Sequence, residues 1–332
     1  MDYGEIVGSA WRMTWRNRGL WWVGFFAGGA SGSCSGGSSV NSGMPAGQGT
    51  DAFPGFDRNL ESGLASIQSG LAEILPILIV LGIIIFVIWL GFWLLSVACA
   101  AAVIVGGREA AAGRPATLSQ AWTQGLRAYG RLFQLELLWL VFWIVIIGLI
   151  VLLAIQSLTN QPRSGIDWLF WVLNLFGVLA VVGIVGSLLS IVLAYAQRAI
   201  VLDGAGAVDG ISAGARLARQ RLGQSLLVWL IGLALSIGGG IVLVIGLIVL
   251  ALPTVLIGAI LGFLTSLTGG PGFGVGLGLL FLVLFVAVLV GGAGLNTYLW
   301  HYWTLAYLHM TGALAPAAAP VPPAPEPVAE PS

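Results

Sequence analysis

The strongest constraint on this chain is a set of apolar runs. Leu75–Gly106, Leu135–Leu158, Trp168–Leu202, Ser225–Leu252 and Val275–Thr297 are almost free of charge. Each exceeds the roughly 20 residues that a helix needs to cross about 30 Å of hydrocarbon. An unbroken apolar helix has no polar face to turn toward water. The expectation is an all-α membrane protein. Composition agrees, since only 8% of the 332 residues are charged, against about 25% in a soluble domain.

Two segments fit this scheme poorly. Leu20–Ala30 would be about 17 Å long as a helix, too short to cross alone. Thr254–Leu267 is apolar, short and set off by Pro253. It is expected to be a broken or re-entrant piece, with an extra full span as the rival reading.

The basic residues arbitrate. All thirteen are Arg, which with the excess of Ala and Gly points to a GC-rich bacterial genome. If the N-terminus is cytoplasmic and six spans alternate, eleven lie on or near the cytoplasmic side, from Arg12, Arg16 and Arg18 to Arg216, Arg219 and Arg221. Only Arg58 and Arg163 fall outside. That bias orients the chain in a bacterial cytoplasmic membrane with both termini inside. It also requires a crossing between Arg18 and Arg58, so the short first segment must span.

The stretch "RNRGLWWVGFFAGGASGSCSGG" (Arg16–Gly37) imitates a secretion signal with a lipoprotein cysteine. Ser31 stands where such a signal wants a Leu-like residue, and an amphipathic stretch precedes it in place of a short basic region. It is read as the shortened first span, with Cys34 an ordinary residue of a Gly/Ser-rich, flexible outside loop running from Ser31 to about Ala72. Asp57–Gly70 is expected to form a short helix leading into the next span. With Cys99 inside an apolar run, neither a disulfide framework nor a Cys-based metal site is expected.

An internal repeat supports six spans. An amphipathic stretch, a span, an outside loop and a second span recur over about 1–106, 117–203 and 208–309. The three stretches are "DYGEIVGSAWRMTWRNRGLWW", "TLSQAWTQGLRAYGRLFQLELLW" and "AVDGISAGARLARQRLGQSLLVW". Tyr3, Ile6, Val7, Ala10, Trp11, Thr14 and Trp15 share one face of the first at helical spacing. Val208, Ile211, Ala215, Ala218 and Leu222 make a weaker face on the third. Thr117 and Gln120 have capping-box spacing and Asp209 is a candidate N-cap. These stretches are read as interfacial helices, the alternative being connectors packed on the bundle. The fold expected is therefore six transmembrane helices in three repeated hairpins, each preceded by an interfacial amphipathic helix. Residues 1–311 form one membrane domain, and 312–332 a disordered Pro/Ala-rich tail.

"YAQRAIVLDGAGAVDGISAGARLARQRLGQSLLVWL" (Tyr195–Leu230), "AWRMTWRNRGLWWVGFF" and "YLWHYWTLAYLHMTG" resemble a group of bacterial polytopic membrane proteins. These are related to the membrane domain of glycerophosphoryl diester phosphodiesterases. The resemblance implies a multi-span membrane domain and brings no catalytic residues with it. In relatives that are diesterases, catalysis belongs to a separate soluble domain, which the 312–332 tail is not.

Polar residues inside spans are informative because they are costly there. Glu136 begins the first span of the second repeat and Arg198 ends its second, so a hairpin would bring them to one depth, close enough to pair or share a polar cluster. Asn296 and His301 complete the candidate intramembrane cluster. Its functional reading is coupling or gating. Its structural reading is Arg198 snorkelling to phosphate, with helix-to-helix hydrogen bonds elsewhere. His301 and His309 are the only histidines, and no metal-ligand spacing is present. "SIGGGIV", "GAILG" and "GFGVGLG" are read as helix-packing patches, not a dinucleotide site. No catalytic, cofactor or metal residues are assigned.

A non-enzymatic scaffold, assembly or envelope-maintenance module is the preferred function. A transporter or channel for a small or lipid-like solute is the alternative, and an intramembrane lipid enzyme comes last. The expected partners are membrane lipids, with a protein partner or a second copy in the membrane. A formal net charge of zero gives no reason to expect nucleic acid.

Overall fold

The computed structural model describes residues 2–30, 56–159, 165–267 and 272–313. Among the described residues every regular element is helical: α1 (Tyr3–Arg16), a single 3-10 turn (Arg18–Leu20), α2 (Trp21–Ala30), α3 (Phe56–Ala111), α4 (Leu118–Thr159), α5 (Gly165–Leu202), α6 (Ala207–Gln220), α7 (Leu222–Leu267) and α8 (Gly272–Thr311). Five helices are long and apolar enough to cross a membrane: α3 from Leu75, α4 to Leu152, α5 from Trp171, all of α7, and α8 from Gly276. Cys34, Arg163 and the 314–332 part of the tail lie outside the described residues.

The helix ends follow local chemistry. The Asp2 carboxylate accepts from the backbone N–H groups of Gly4 and Glu5 at 3.0 and 3.2 Å, capping α1. Asn17 stops α1 at φ −112° and ψ 54°, and its side-chain amide donates to the Met13 carbonyl. The Trp21 indole N–H donates to the Thr14 carbonyl at 3.0 Å, which fixes the angle between α1 and α2. Helices α3, α5 and α8 are each followed by a glycine in the left-handed region, Gly113, Gly204 and Gly312. Arg114 N–H to Glu109 C=O and Gly113 N–H to Ala110 C=O form a Schellman motif after α3. Ala313 to Leu308 and Gly312 to His309 repeat it after α8.

Packing is concentrated at one end of the bundle. The C-terminal parts of α3, α5 and α8 meet the N-terminal parts of α4 and α7 there, together with α1, α2 and α6. The centre is the last part of α8, where Thr297–Leu308 is buried throughout. It receives Ile6 and Ala10 of α1, Tyr195 and Ala199 of α5, and Val228 of α7. A second cluster joins Val23 and Ala27 of α2, Val97 and Cys99–Ile104 of α3 and Leu132 and Leu135 of α4. Glycine permits the closest approaches. A Cβ on Gly125 of α4 would lie 2.7 Å from the Ala102 backbone nitrogen of α3. One on Gly24 of α2 would lie 1.9 Å from Thr297 Oγ1 of α8. Toward the other end, Ile83, Ile144, Val181, Ile245 and Phe281 are all exposed, as side chains meant for hydrocarbon would be.

Four expectations need correction. The Thr254–Leu267 segment is neither re-entrant nor a separate span: α7 runs unbroken through Pro253. Thr254 Oγ1 donates to the Leu250 carbonyl at 2.7 Å beside the proline, and Gly258 is pressed onto Gly276 of α8, so packing holds the helix across the lost donor. The second amphipathic stretch is not a separate helix, because nothing interrupts Leu118–Thr159. The Asp57–Gly70 segment is not a separate short helix, since it is part of α3, which runs from Phe56. The buried face of α6 is Ala207, Gly210, Gly214 and Ala218, while Val208 is 71% exposed. Small residues win there because α6 lies directly on α5: a Cβ on Gly214 would be 2.5 Å from the Val192 carbonyl oxygen.

Candidate functional site

The four polar residues singled out in the sequence all lie at the packed end, but they do not form one cluster. Glu136 of α4 is 5% exposed, and its Oε1 accepts from Gln197 Nε2 of α5 at 2.9 Å. Arg198, one residue on, points to a different face. Its Nη1 donates to the Ala194 carbonyl at 2.6 Å, and its guanidinium lies over Trp300 and Trp303 of α8, 5.0 and 5.9 Å from the ring centroids. The α4–α5 contact expected of Glu136 and Arg198 is therefore made by Gln197 in place of the arginine. Successive helical residues point about 100° apart, so one residue of register selects the amide for Glu136 and the aromatic rings for Arg198.

His301 is fully buried where α8 meets α1 and α3. Its Nδ1 is 3.1 Å from Thr14 Oγ1 of α1. The Thr14 hydroxyl also lies 2.8 Å from the Ala10 carbonyl, which can only accept. If the hydroxyl proton goes to Ala10, the imidazole must donate from Nδ1, leaving the Nε2 lone pair without a partner. Gly107 of α3 makes room for the ring: a Cβ there would sit 3.2 Å from His301 Cδ2. Asn296 lies five residues before His301, about 140° away around the helix. It packs on Gly28 of α2, where a Cβ would fall 1.9 Å from its Nδ2.

Other ties at this end escaped the sequence reading. Tyr302 Oη donates to the Val228 carbonyl of α7 at 2.8 Å. Tyr307 Oη donates to Asp203 Oδ2, just beyond α5, at 2.5 Å. Arg131 of α4 donates to the Gly204 carbonyl. The visible signal was the aromatic density of "YLWHYWTLAY", which reads equally well as an interfacial belt.

Two grooves open on the sides of the bundle. One, of about 300 Å³, runs between α1–α2 and the α7–α8 hairpin and is lined by Trp11, Trp15, Trp21, Leu243, Gly291 and Leu295, among others. The other, of about 420 Å³, follows the α7–α8 seam from Val255 to Ser266. Neither is lined by Glu136, Arg198, Asn296 or His301. Among the described residues no three His, Cys, Asp or Glu side chains are grouped so as to hold a metal ion.

No curated protein and no solved structure matches the chain. One family model does, over residues 10–315, from the second half of α1 to just beyond α8. The chain belongs to that family, the family of unknown function DUF7544.

Proposed function

We propose that this chain is a non-enzymatic module of the bacterial cytoplasmic membrane that acts as a scaffold, assembly or envelope-maintenance component. The observation carrying this reading is how the buried polar groups are used. Glu136–Gln197, Thr14–His301, Tyr302–Val228 and Tyr307–Asp203 each tie one helix to another or to the turn after it. A coupling or catalytic group must face its solute, and neither groove is lined by a charged side chain.

The topology proposed with it has six spans in three hairpins. The first span is α2 continued beyond Ala30, and both termini are cytoplasmic. The left-handed glycines that follow α3, α5 and α8, the second spans of the three repeats, support this scheme. So do the separate helices α1 and α6 ahead of the first and third, which are read as lying at the membrane interface. We place the chain near the membrane domains of glycerophosphoryl diester phosphodiesterases on the motifs quoted above.

Reconstitution into phospholipid vesicles tests the role. Vesicles loaded with glycerophosphodiesters or inorganic ions should release them no faster than protein-free vesicles. Saturable, protein-dependent release abolished by Glu136→Gln would establish the competing reading, a transporter. Single cysteines at positions 58, 108 and 163 in a cysteine-free background test topology. Positions 58 and 163 should react from outside and 108 from inside. Reaction of 58 only from inside would refute the six-span scheme.

A further inference from the structure

The first groove has a shape and charge that none of the roles above uses. One wall is aromatic. Trp11 and Trp15 meet edge to face at 5.5 Å, Trp15 and Trp21 at 5.2 Å, and Trp11 reaches Tyr298 at 5.8 Å. The opposite wall is aliphatic, from Val242 and Leu243 of α7 and Val290 and Leu295 of α8. Gly291 and Gly294 of α8 also line it, so that stretch of wall stays low. A Cβ on Gly291 would stand 3.0 Å from Leu243 Cδ1, and one on Gly294 would stand 3.6 Å from the Trp21 ring. The rims are open and apolar: Trp11 is 54%, Val242 70% and Val290 47% exposed.

The charge is one-sided. The Arg18 guanidinium lies over the ring of Trp15, a lining residue, 5.3 Å from its centroid, so a cation stands beside the groove without lining it. Arg12 and Arg16 are exposed on the same short segment. An apolar slot with a cation just beside its aromatic wall matches a molecule with an unbranched hydrocarbon chain and an anionic head. A partner helix, about 10–12 Å across with its side chains, would lie over a groove of about 300 Å³ and could not enter it.

We propose that the groove between α1–α2 and α7–α8 binds one anionic phospholipid, with an acyl chain along Trp11, Trp15, Leu243 and Gly291 and the phosphate at Arg18. This rests on the membrane placement of the chain and not on its scaffold role, so a transporter finding would leave it standing. Tryptophan suits the site because its ring is apolar while its edge and N–H tolerate the interface. Arginine suits it because a planar guanidinium can stack on the ring and still donate to phosphate.

Native mass spectrometry of the full chain, extracted from membranes in detergent, tests the site. Phosphatidylglycerol and phosphatidylcholine of identical acyl chains are supplied at equal concentration. The wild type should retain one phosphatidylglycerol in preference to phosphatidylcholine. Val290→Trp, which fills the slot from one rim, should lower that occupancy at least tenfold. Val242→Trp fills it from the other rim at a still more exposed position and serves if the first variant is unstable. Arg18→Gln should keep a lipid but bring the two headgroups to parity, whereas Arg221→Gln, on the α6–α7 turn, should leave the preference intact. Unchanged retention in both groove-filling variants would overturn the proposal. So would a preserved headgroup preference in Arg18→Gln. Loss of a dimer with no change in lipid would assign the groove to a second copy and overturn it equally.

Discussion

Two glycines of α4 make a controlled experiment. Gly125 and Gly130 lie five residues apart in one helix, and both should gain from alanine substitution in the same way. That gain, from reduced backbone freedom in the unfolded chain, is about 0.8–1 kcal/mol. Their surroundings differ. A Cβ on Gly130 meets nothing within 4 Å. A Cβ on Gly125 would lie 2.7 Å from Ala102 N, 2.9 Å from Ala102 Cα and 3.1 Å from Ala101 C. These are backbone atoms of α3, so no rotamer change clears them and the helices must separate. Overpacking of this kind costs about 1–3 kcal/mol. Gly130→Ala should therefore stabilise the protein by up to about 1 kcal/mol, and Gly125→Ala should destabilise it by up to about 2 kcal/mol. The propensity gain is common to both, so the difference between them isolates the α3–α4 contact. Reversible unfolding by SDS in mixed micelles, followed by helical circular dichroism, measures it. Equal effects of the two substitutions would refute close packing of α3 on α4 at Ala102.

Three further expectations follow from the buried ties. The charge swap Glu136→Arg with Arg198→Glu should give no rescue over either single reversal, because Glu136 bonds Gln197 and Arg198 stacks on Trp300; mutual rescue in the same unfolding assay would show a direct pair. Thr14→Val keeps the volume but takes the hydroxyl from His301 Nδ1. Stability should fall by about 1–3 kcal/mol, the cost of leaving a buried donor unmet, and protease should cut the α1 end sooner. Tyr302→Phe removes the bond to the Val228 carbonyl and should cost about 0.5–1.5 kcal/mol; a loss above about 3 kcal/mol would mean that the hydroxyl does more than bridge α7 and α8.

The five long apolar helices were legible because hydrocarbon length fixes how many apolar residues must run together. Helix starts were partly legible: Thr117 directly precedes α4 as expected, but Asp209 falls inside the first turn of α6, whose N-cap is Gly206. Spacing reports that a polar residue is near a helix start, not which residue takes the cap. The α6 face was misread for a related reason. Hydrophobic periodicity finds the face that avoids water, whereas α6 packs by fit, and Gly210 and Gly214 fit where Val208 would not. The partners of Glu136 and His301 were illegible because Gln197 and Thr14 are ordinary residues until the register of α5 and the docking of α1 are known.

The distribution of packing along the helices explains why the polar ties sit where they do. In a bilayer the apolar surface of a helix gains little by leaving lipid for another helix, so association rests on close backbone approach and interhelical hydrogen bonds. The packed end has both, in Gly24, Gly28, Gly107, Gly125 and Gly214 and in the ties of Glu136, His301, Tyr302 and Tyr307. Where α3, α4 and α5 carry Ile83, Phe86, Ile144, Val181 and Ile184, the side chains are exposed. The exception obeys the same rule. Helices α7 and α8 stay in contact beyond the shared core, and there Gly258 and Gly276 press together backbone to backbone. By the same rule Glu136 joins α4 to α5 through Gln197, and His301 joins α8 to α1 through Thr14, at the end of the bundle where the backbones come closest.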